Sequence, residues 1–289
     1  MKKPLLIVAA IVAISCINFS AKYQPESQTH TIVNKMLAAI NSSKGYMYTM
    51  RSNERIVGMK NLRGGDIFTK VSVNPQQVYM KMVTDPNKGT EILYVKGQNN
   101  NKALVNPGKM LPTIKLAPTS GLLTKEQHHI ITTAGFGATA RIMGDAVKRA
   151  DAQGKFDEVF KYEGDIVWNN RNCYKIIITD PTWAYTTYKA LPGEKMYDVA
   201  YKLLIPEYHL VELNGVKNFE EDLSNKTLKV PTAYARRTVL FVDKETNFPI
   251  LQEMSDDKGV FERYEFYNLV INPAFKADEF TEDFDGYGF

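Results

Sequence analysis

The chain has 289 residues and a formal net charge of +4, with 44% hydrophobic, 24% charged and 11% aromatic residues. It is long enough to bury a sizeable core, and its composition excludes a disordered, collagenous or coiled-coil chain. A balance of 36 basic against 32 acidic residues gives nothing to steer it onto nucleic acid, and 2 Cys make no disulfide scaffold.

The amino terminus reads as an export signal. Lys2 and Lys3 precede an unbroken apolar run over 5–14, the pattern of a signal-peptide core and too short to span a bilayer. Two cleavage readings stay open. Cutting after Ala13-Ile14-Ser15 makes Cys16 the first mature residue; this resembles a relaxed lipobox and implies lipidation of Cys16. Ordinary cleavage near Ala21 discards it. No later run is long enough to cross a membrane, so the one expected attachment is that lipid. The expected location is the periplasm or the outer-membrane-associated envelope.

Residues 27–43 carry Ile32, Val33, Met36, Leu37 and Ile40 at helical spacing, which predicts an amphipathic helix ending near Lys44-Gly45. Beyond it the period becomes that of strands, at 46–57, 66–73, 77–83, 91–96 and 102–106. Turn signals such as Asp85-Pro86-Asn87 and Asn106-Pro107-Gly108 separate them, the rhythm of an antiparallel meander rather than of βαβ units. Alternation puts Val78, Met80 and Met82 on one face. Residues 122–152 read as helix interrupted by Gly135 and Gly137, and strands resume at 156–164, 165–169 and 172–179. The runs 237–242, 248–254 and 260–271 read as long hairpins, with Leu240, Tyr264 and Phe266 in their alternating sets.

Between Pro181 and Arg236 the rhythm breaks. A strand, a Pro192-Gly193 turn, two short helices ending at Asn214-Gly215 and a strand closed by Pro231 make a βααβ unit that can bud from a sheet. It resembles a LysM module. Tyr188 through Gly193-Glu194-Lys195-Met196-Tyr197-Asp198-Val199-Ala200 follows the family's opening. Leu210, Leu213, Asn214 and Val216 follow the end of its second helix, and Leu228, Val230 and Pro231 its close. Asn225 departs from the family's Gly, and Lys195 from its small Thr or Ser. The resemblance implies a groove for an acetamido-sugar glycan such as peptidoglycan, mapped to Gly193, Glu194, Lys195, Met196, Asn214, Gly215, Val216 and Lys217. There the glycines permit close backbone approach, and Met196 and Val216 offer apolar contact.

The remainder is similar to LolA-like lipoprotein carriers. The similarity rests on the hairpin sequence over 238–250, on Gly259 with Glu262-Arg263-Tyr264-Glu265-Phe266, and on Asn272-Pro273-Ala274-Phe275 with Gly286-Tyr287-Gly288-Phe289. Tyr79-Met80-Lys81 followed by Glu91-Ile92-Leu93-Tyr94-Val95 extends it. Together these look like an exported bacterial family of unknown function with that fold. The resemblance implies an α+β fold: a strongly curved antiparallel half-barrel, closed by helices 27–43 and 122–152 over an apolar cavity suited to acyl chains. Met80, Met82, Leu240, Tyr264 and Phe266 are the cavity candidates, each also readable as plain core.

Catalytic signatures are missing. Adjacent His128 and His129 cannot both aim at one metal from regular structure, and they read as a solvated pair at a helix start. Gly135-Phe136-Gly137 follows no strand of a βαβ unit, and Cys173 reads as a buried structural thiol. The acidic pairs Asp256-Asp257 and Glu282-Asp283 and the cluster Glu220-Glu221-Asp222 read as solvated turns.

No catalytic residue, metal or cofactor is therefore expected. The expected organisation is a signal peptide over 1–21 (or 1–15 with a lipidated Cys16), a body over 22–183 and 234–289, and an insert over 184–233. The expected function is non-enzymatic: a lipid or lipoprotein acyl chain held in the cavity, with docking to peptidoglycan through the insert. The alternatives are a cell-wall-remodelling enzyme and a purely structural envelope protein.

Overall fold

The computed structural model describes residues 27–108 and 111–289; the export signal and Cys16 lie outside them. Helix α1 (Gln28–Ser42) starts where the Ser27 hydroxyl accepts the His30 N–H, and it buries Ile32, Val33, Met36 and Ile40 as its spacing requires. A meander follows: β1 (Gly45–Glu54), β2 (Asp66–Ser72), β3 (Gln77–Met82), β4 (Glu91–Val95), β5 (Ala103–Asn106) and β6 (Ile114–Leu116). Then come α2 (Gly121–Thr124), α3 (Gly137–Ala152), α4 (Phe156–Val159) and the hairpin β7 (Phe160–Trp168) and β8 (Arg171–Thr179). The insert is β9 (Tyr185–Lys189), α5 (Met196–Leu203), α6 (Glu207–Asn214) and β10 (Thr227–Pro231). The chain closes with β11 (Arg237–Asp243), β12 (Pro249–Ser255) and β13 (Val260–Ile271).

Among the described residues, eleven strands form one curved sheet in the order β6-β5-β4-β3-β2-β1-β13-β12-β11-β8-β7, and every pairing is antiparallel. β13 pairs with β1, so the C-terminal hairpins join the N-terminal meander in a single surface. The strand period of two then sorts side chains between its faces. In β4, Ile92 and Tyr94 join the main core under α1 and α3, while Leu93 and Val95 join a second cluster on the other face. Tyr287 and Phe280 from the C-terminal segment cover that second cluster, with the Tyr287 ring stacked 3.8 Å from that of Tyr79. Both faces of β4 are thus covered, which is why it reads as an unbroken apolar run.

Three elements differ from expectation. Residues 122–152 are not one interrupted helix: α2 ends at Thr124, 125–130 are irregular, and α3 begins only at Gly137. Gly135 lies between them at φ +89, donating its N–H to the Tyr48 hydroxyl, and a Cβ there would stand 3.2 Å from the Tyr46 ring. Residues 156–159 form α4, and β7 runs on through Gly164 as a bulge between Tyr162 and Asp165 instead of breaking. β6 has only three residues, too few to show a period. The Gly135→Ala variant is expected to lose about 1–2 kcal/mol, from the left-handed backbone alone. Chemical denaturation checks this, and an unchanged midpoint would contradict the strain.

The insert has its own small core of Met196, Val199, Leu210, Phe219, Leu223 and Leu228, into which Ile130 of the body also packs. Among the described residues its two strands pair only with each other, Tyr185 opposite Pro231. Among the described residues, no helix is long and apolar enough to cross a membrane.

Candidate functional site: an apolar cavity with a buried ionic end

Under the sheet lies a cavity of about 440 Å³. Met80 and Met82 reach it from β3, Leu240 from β11, and Tyr264 and Phe266 from β13, so all five sequence candidates face one space. Leu123 and Ile142 line it from α2 and α3, and Ala200, Leu204 and Ile205 from the insert, which therefore forms part of its wall. Ile114, Leu122 and Tyr201 also line it and are 41%, 75% and 51% exposed, which marks an apolar rim open to solvent. The volume and the flexible methionines suit an apolar guest.

One part of this wall is ionic. Glu54 and Glu262 stand directly opposite in the β1–β13 register, and both are buried. Like charges so placed repel, and His128 relieves them. Its backbone N–H donates to Glu54 Oε2 (3.0 Å), and its ring Nδ1 lies 2.8 Å from Glu262 Oε1. The other ring nitrogen is 2.8 Å from the Arg55 carbonyl oxygen. Both nitrogens face acceptors, which only the doubly protonated ring can satisfy. Burial acts against that charge, but Glu54 and Glu262 outweigh it and raise the His128 pKa.

His129 faces the cavity with Nδ1 3.1 Å from Glu207 of α6 and Nε2 3.6 Å from Glu262. Burial again opposes its charge, and Glu207 and Glu262 again prevail, holding its pKa well above 6.5. For Glu262, burial favours the neutral acid, but His129 and His128 keep it far below the usual carboxylate range. The hydroxyls of Tyr234 and Tyr264 donate to Glu262 and Glu54; burial, aided by Glu262, pushes both phenols up, so they stay neutral donors. The expectation of a solvated histidine pair is thus corrected: partners distant in sequence bury His128 and engage His129.

Beside this cluster, Arg55 clamps the insert to the body. Its guanidinium meets Glu212 of α6 through two 2.9 Å bonds, and Asp256 of the β12–β13 turn at 3.0 Å. Tyr208 of α6 stacks on His128 at 4.4 Å and accepts the Val57 N–H. Asp256 is buried, which corrects its reading as a solvated turn residue; burial resists its ionisation, but His209 and Arg55 hold its pKa far down. His209, Glu212 and Asp256 lie close enough to ligate one ion, but Arg55 already supplies the cation between the two carboxylates. Cys173 is a free, buried thiol whose pKa burial pushes up to about 11, as a structural cysteine requires.

The residues mapped to a glycan groove are placed differently. Met196 and Val216 are 0% and 4% exposed in the insert's core, so neither offers the apolar contact expected of it. The chain lying against 193–196 is 219–224, not 214–217: Met196 donates to the Glu221 carbonyl, Leu223 to that of Glu194, and Gly193 to the Ser224 hydroxyl. Asn214 exchanges hydrogen bonds with the Lys229 backbone in β10, and the Lys217 N–H donates to the Glu221 carboxylate. The Glu194 carboxylate is taken by Tyr188, Leu191 and Lys202. Gly193, Lys195, Gly215 and Lys217 remain exposed.

Residues 43–289 match the model of the DUF1571 family, described as a protein of unknown function, and the chain belongs to that family. A search of curated proteins gives no match. Among solved structures the chain is similar to lipoprotein LppX of Mycobacterium tuberculosis, at 10% identity over 86% of this chain and 97% of that one, with a TM-score of 0.41. It is similar to LprF of Mycobacterium bovis at 10% identity, 85% and 93% coverage and a TM-score of 0.40. It is also similar to a LolA superfamily protein of Nitrosomonas europaea at 8% identity, 88% and 98% coverage and a TM-score of 0.32.

Proposed function

We propose that the protein is a non-enzymatic, exported envelope protein that holds an apolar ligand, a lipid or a lipoprotein acyl chain, in the cavity under its sheet. The observation that carries this reading is the cavity of about 440 Å³, walled by methionine and branched aliphatic side chains and open at an apolar rim. Holding rather than turnover is favoured by the ionic end, where each carboxylate and imidazole already has a partner inside the fold. Docking to peptidoglycan does not enter this reading, because Met196 and Val216 are buried and the Gly193 and Lys217 N–H groups and the Asn214 side chain are bonded within the insert. The insert acts instead as the wall that completes the cavity.

Native mass spectrometry after gentle purification tests the proposal. The wild type is expected to carry added mass from a bound lipid, and Met80→Trp, which fills the space, is expected to lose it while staying folded. A wild type of bare polypeptide mass that also fails to take up added lipid would sink the reading. A zymogram on wall material addresses the enzyme alternative, and a cleared band there would revive it.

A further inference from the structure

The charged side chains around the cavity divide into two sets. Glu54 is taken by His128 and Tyr264, and Glu207 and His129 pair with each other. Lys125 and Arg141 also line the cavity, yet neither makes an ion pair among the described residues, where the nearby charges Arg63 and Glu126 pair with each other. The Arg141 guanidinium carbon lies over the ring of Tyr201, 3.5 Å from its centroid, and Tyr201 belongs to the exposed rim. Lys125 is itself exposed, three residues from the rim residue Leu122. The unmatched charge at this cavity is therefore wholly positive and sits at its mouth. A long-tailed guest entering tail first leaves its head in that position.

Building on the reading of the cavity as a lipid site, we propose that its guest is an anionic amphiphile, with the acyl tail inside and a carboxylate or phosphate head at the mouth against Arg141 and Lys125. Arg141 is suited to the task. Its ring contact holds the guanidinium in place without consuming its N–H donors, which stay available for a forked contact with oxyanions. The polar end cannot take the head as well, since its carboxylates repel an anion and its imidazoles are engaged.

The test is a binding titration of the mature protein with hexadecanoate, hexadecyl phosphate and hexadecanol, which share a tail and differ in head, with inorganic phosphate as a competitor. The wild type is expected to bind the anionic ligands at least about tenfold tighter than the alcohol. The double variant Arg141→Gln, Lys125→Gln is expected to lose that preference while holding hexadecanol as before, and Arg141→Lys to keep most of it. Preference for hexadecyl phosphate over hexadecanoate, or the reverse, identifies the head. Equal binding of all three by the wild type overturns the anionic head and leaves the cavity reading intact. Binding of none overturns both. Displacement by inorganic phosphate at concentrations that leave hexadecanol bound would show a free-anion site and overturn the amphiphile.

Discussion

Replacing Glu262 by glutamine is expected to cost about 3–5 kcal/mol of folding free energy, because it removes the counter-charge from two imidazoliums. Glu262→Gln keeps the shape and an acceptor for the Tyr234 hydroxyl, so the loss is one of charge and not of packing. For a chain of this length the melting temperature should fall by roughly 10 °C. The pH profile is the sharper readout. His128 and His129 are held above their ordinary 6.5, so their contribution is complete below that pH and is lost as pH climbs through the raised values. Glu262 is held below its ordinary 4.5, so its contribution is complete above that pH and is lost as pH falls through the depressed value. Both statements describe one set of attractions. The wild type should therefore be most stable between its limits of 4.5 and 6.5, and Glu262→Gln should flatten the decline on the alkaline side. Matching profiles in the two proteins would mean that the cluster does not carry these charges.

Arg55→Met is expected to loosen the insert while the sheet stays formed. The guanidinium hydrogen-bonds both Glu212 of α6 and Asp256 of the body, with His209 Nε2 3.8 Å and 3.3 Å from the same two carboxylates, and both carboxylates are largely buried. Removing it leaves two anions facing each other with only His209 nearby, a loss of about 3–5 kcal/mol for a buried pair broken on one side. Methionine keeps an unbranched side chain of similar length and removes the charge, including the guanidinium that lies 5.9 Å from the centroid of the Phe261 ring. Hydrogen exchange should quicken in α5 and α6 and remain slow in β8 and β11. The insert joins the body through a narrow neck, where Asp180 donates to the Arg236 carbonyl and Thr232 to that of Ala184, so it can part from the body as a unit. If α5 and α6 exchange no faster than in the wild type, Arg55 is not the clamp.

Much of the body was legible because strand period and turn chemistry are local. The meander and the terminal hairpins follow from alternation broken by Asn, Asp, Pro and Gly, and the Asn169-Asn170 turn of β7–β8 has positive φ at both residues, as a two-residue hairpin demands. Met80, Met82, Leu240, Tyr264 and Phe266 could be chosen for the same reason, since inward alternation and adaptable side chains are visible in sequence. The ionic end was not. His128 meets Glu54 and Glu262 at separations of 74 and 134 residues, and His129 meets Glu207 at 78, so no window contains a pair. A charged residue whose partners come from other elements looks the same as one solvated on a turn, which is how Asp256 misleads. The placement of the residues mapped to the glycan groove was hidden for a related reason. Spacing fixes the anchors, but not that the segment 219–224 hydrogen-bonds against 194–196.

Among the described residues the sheet has two free ends, because β6 and β7 are each paired on one side only. Such rows of bare N–H and C=O groups invite a second molecule to add a strand, the route by which large open sheets precipitate. Neither border here is a good template. β6 offers three residues, among them the exposed Lys115, too short a ledge for stable pairing. β7 is longer, but its bulge at Gly164 bends the ladder, and the exposed Lys161, Glu163 and Asp165 crowd that border with charge. A protein built around an open sheet and an oily interior thus offers a second copy little to pair with along either border.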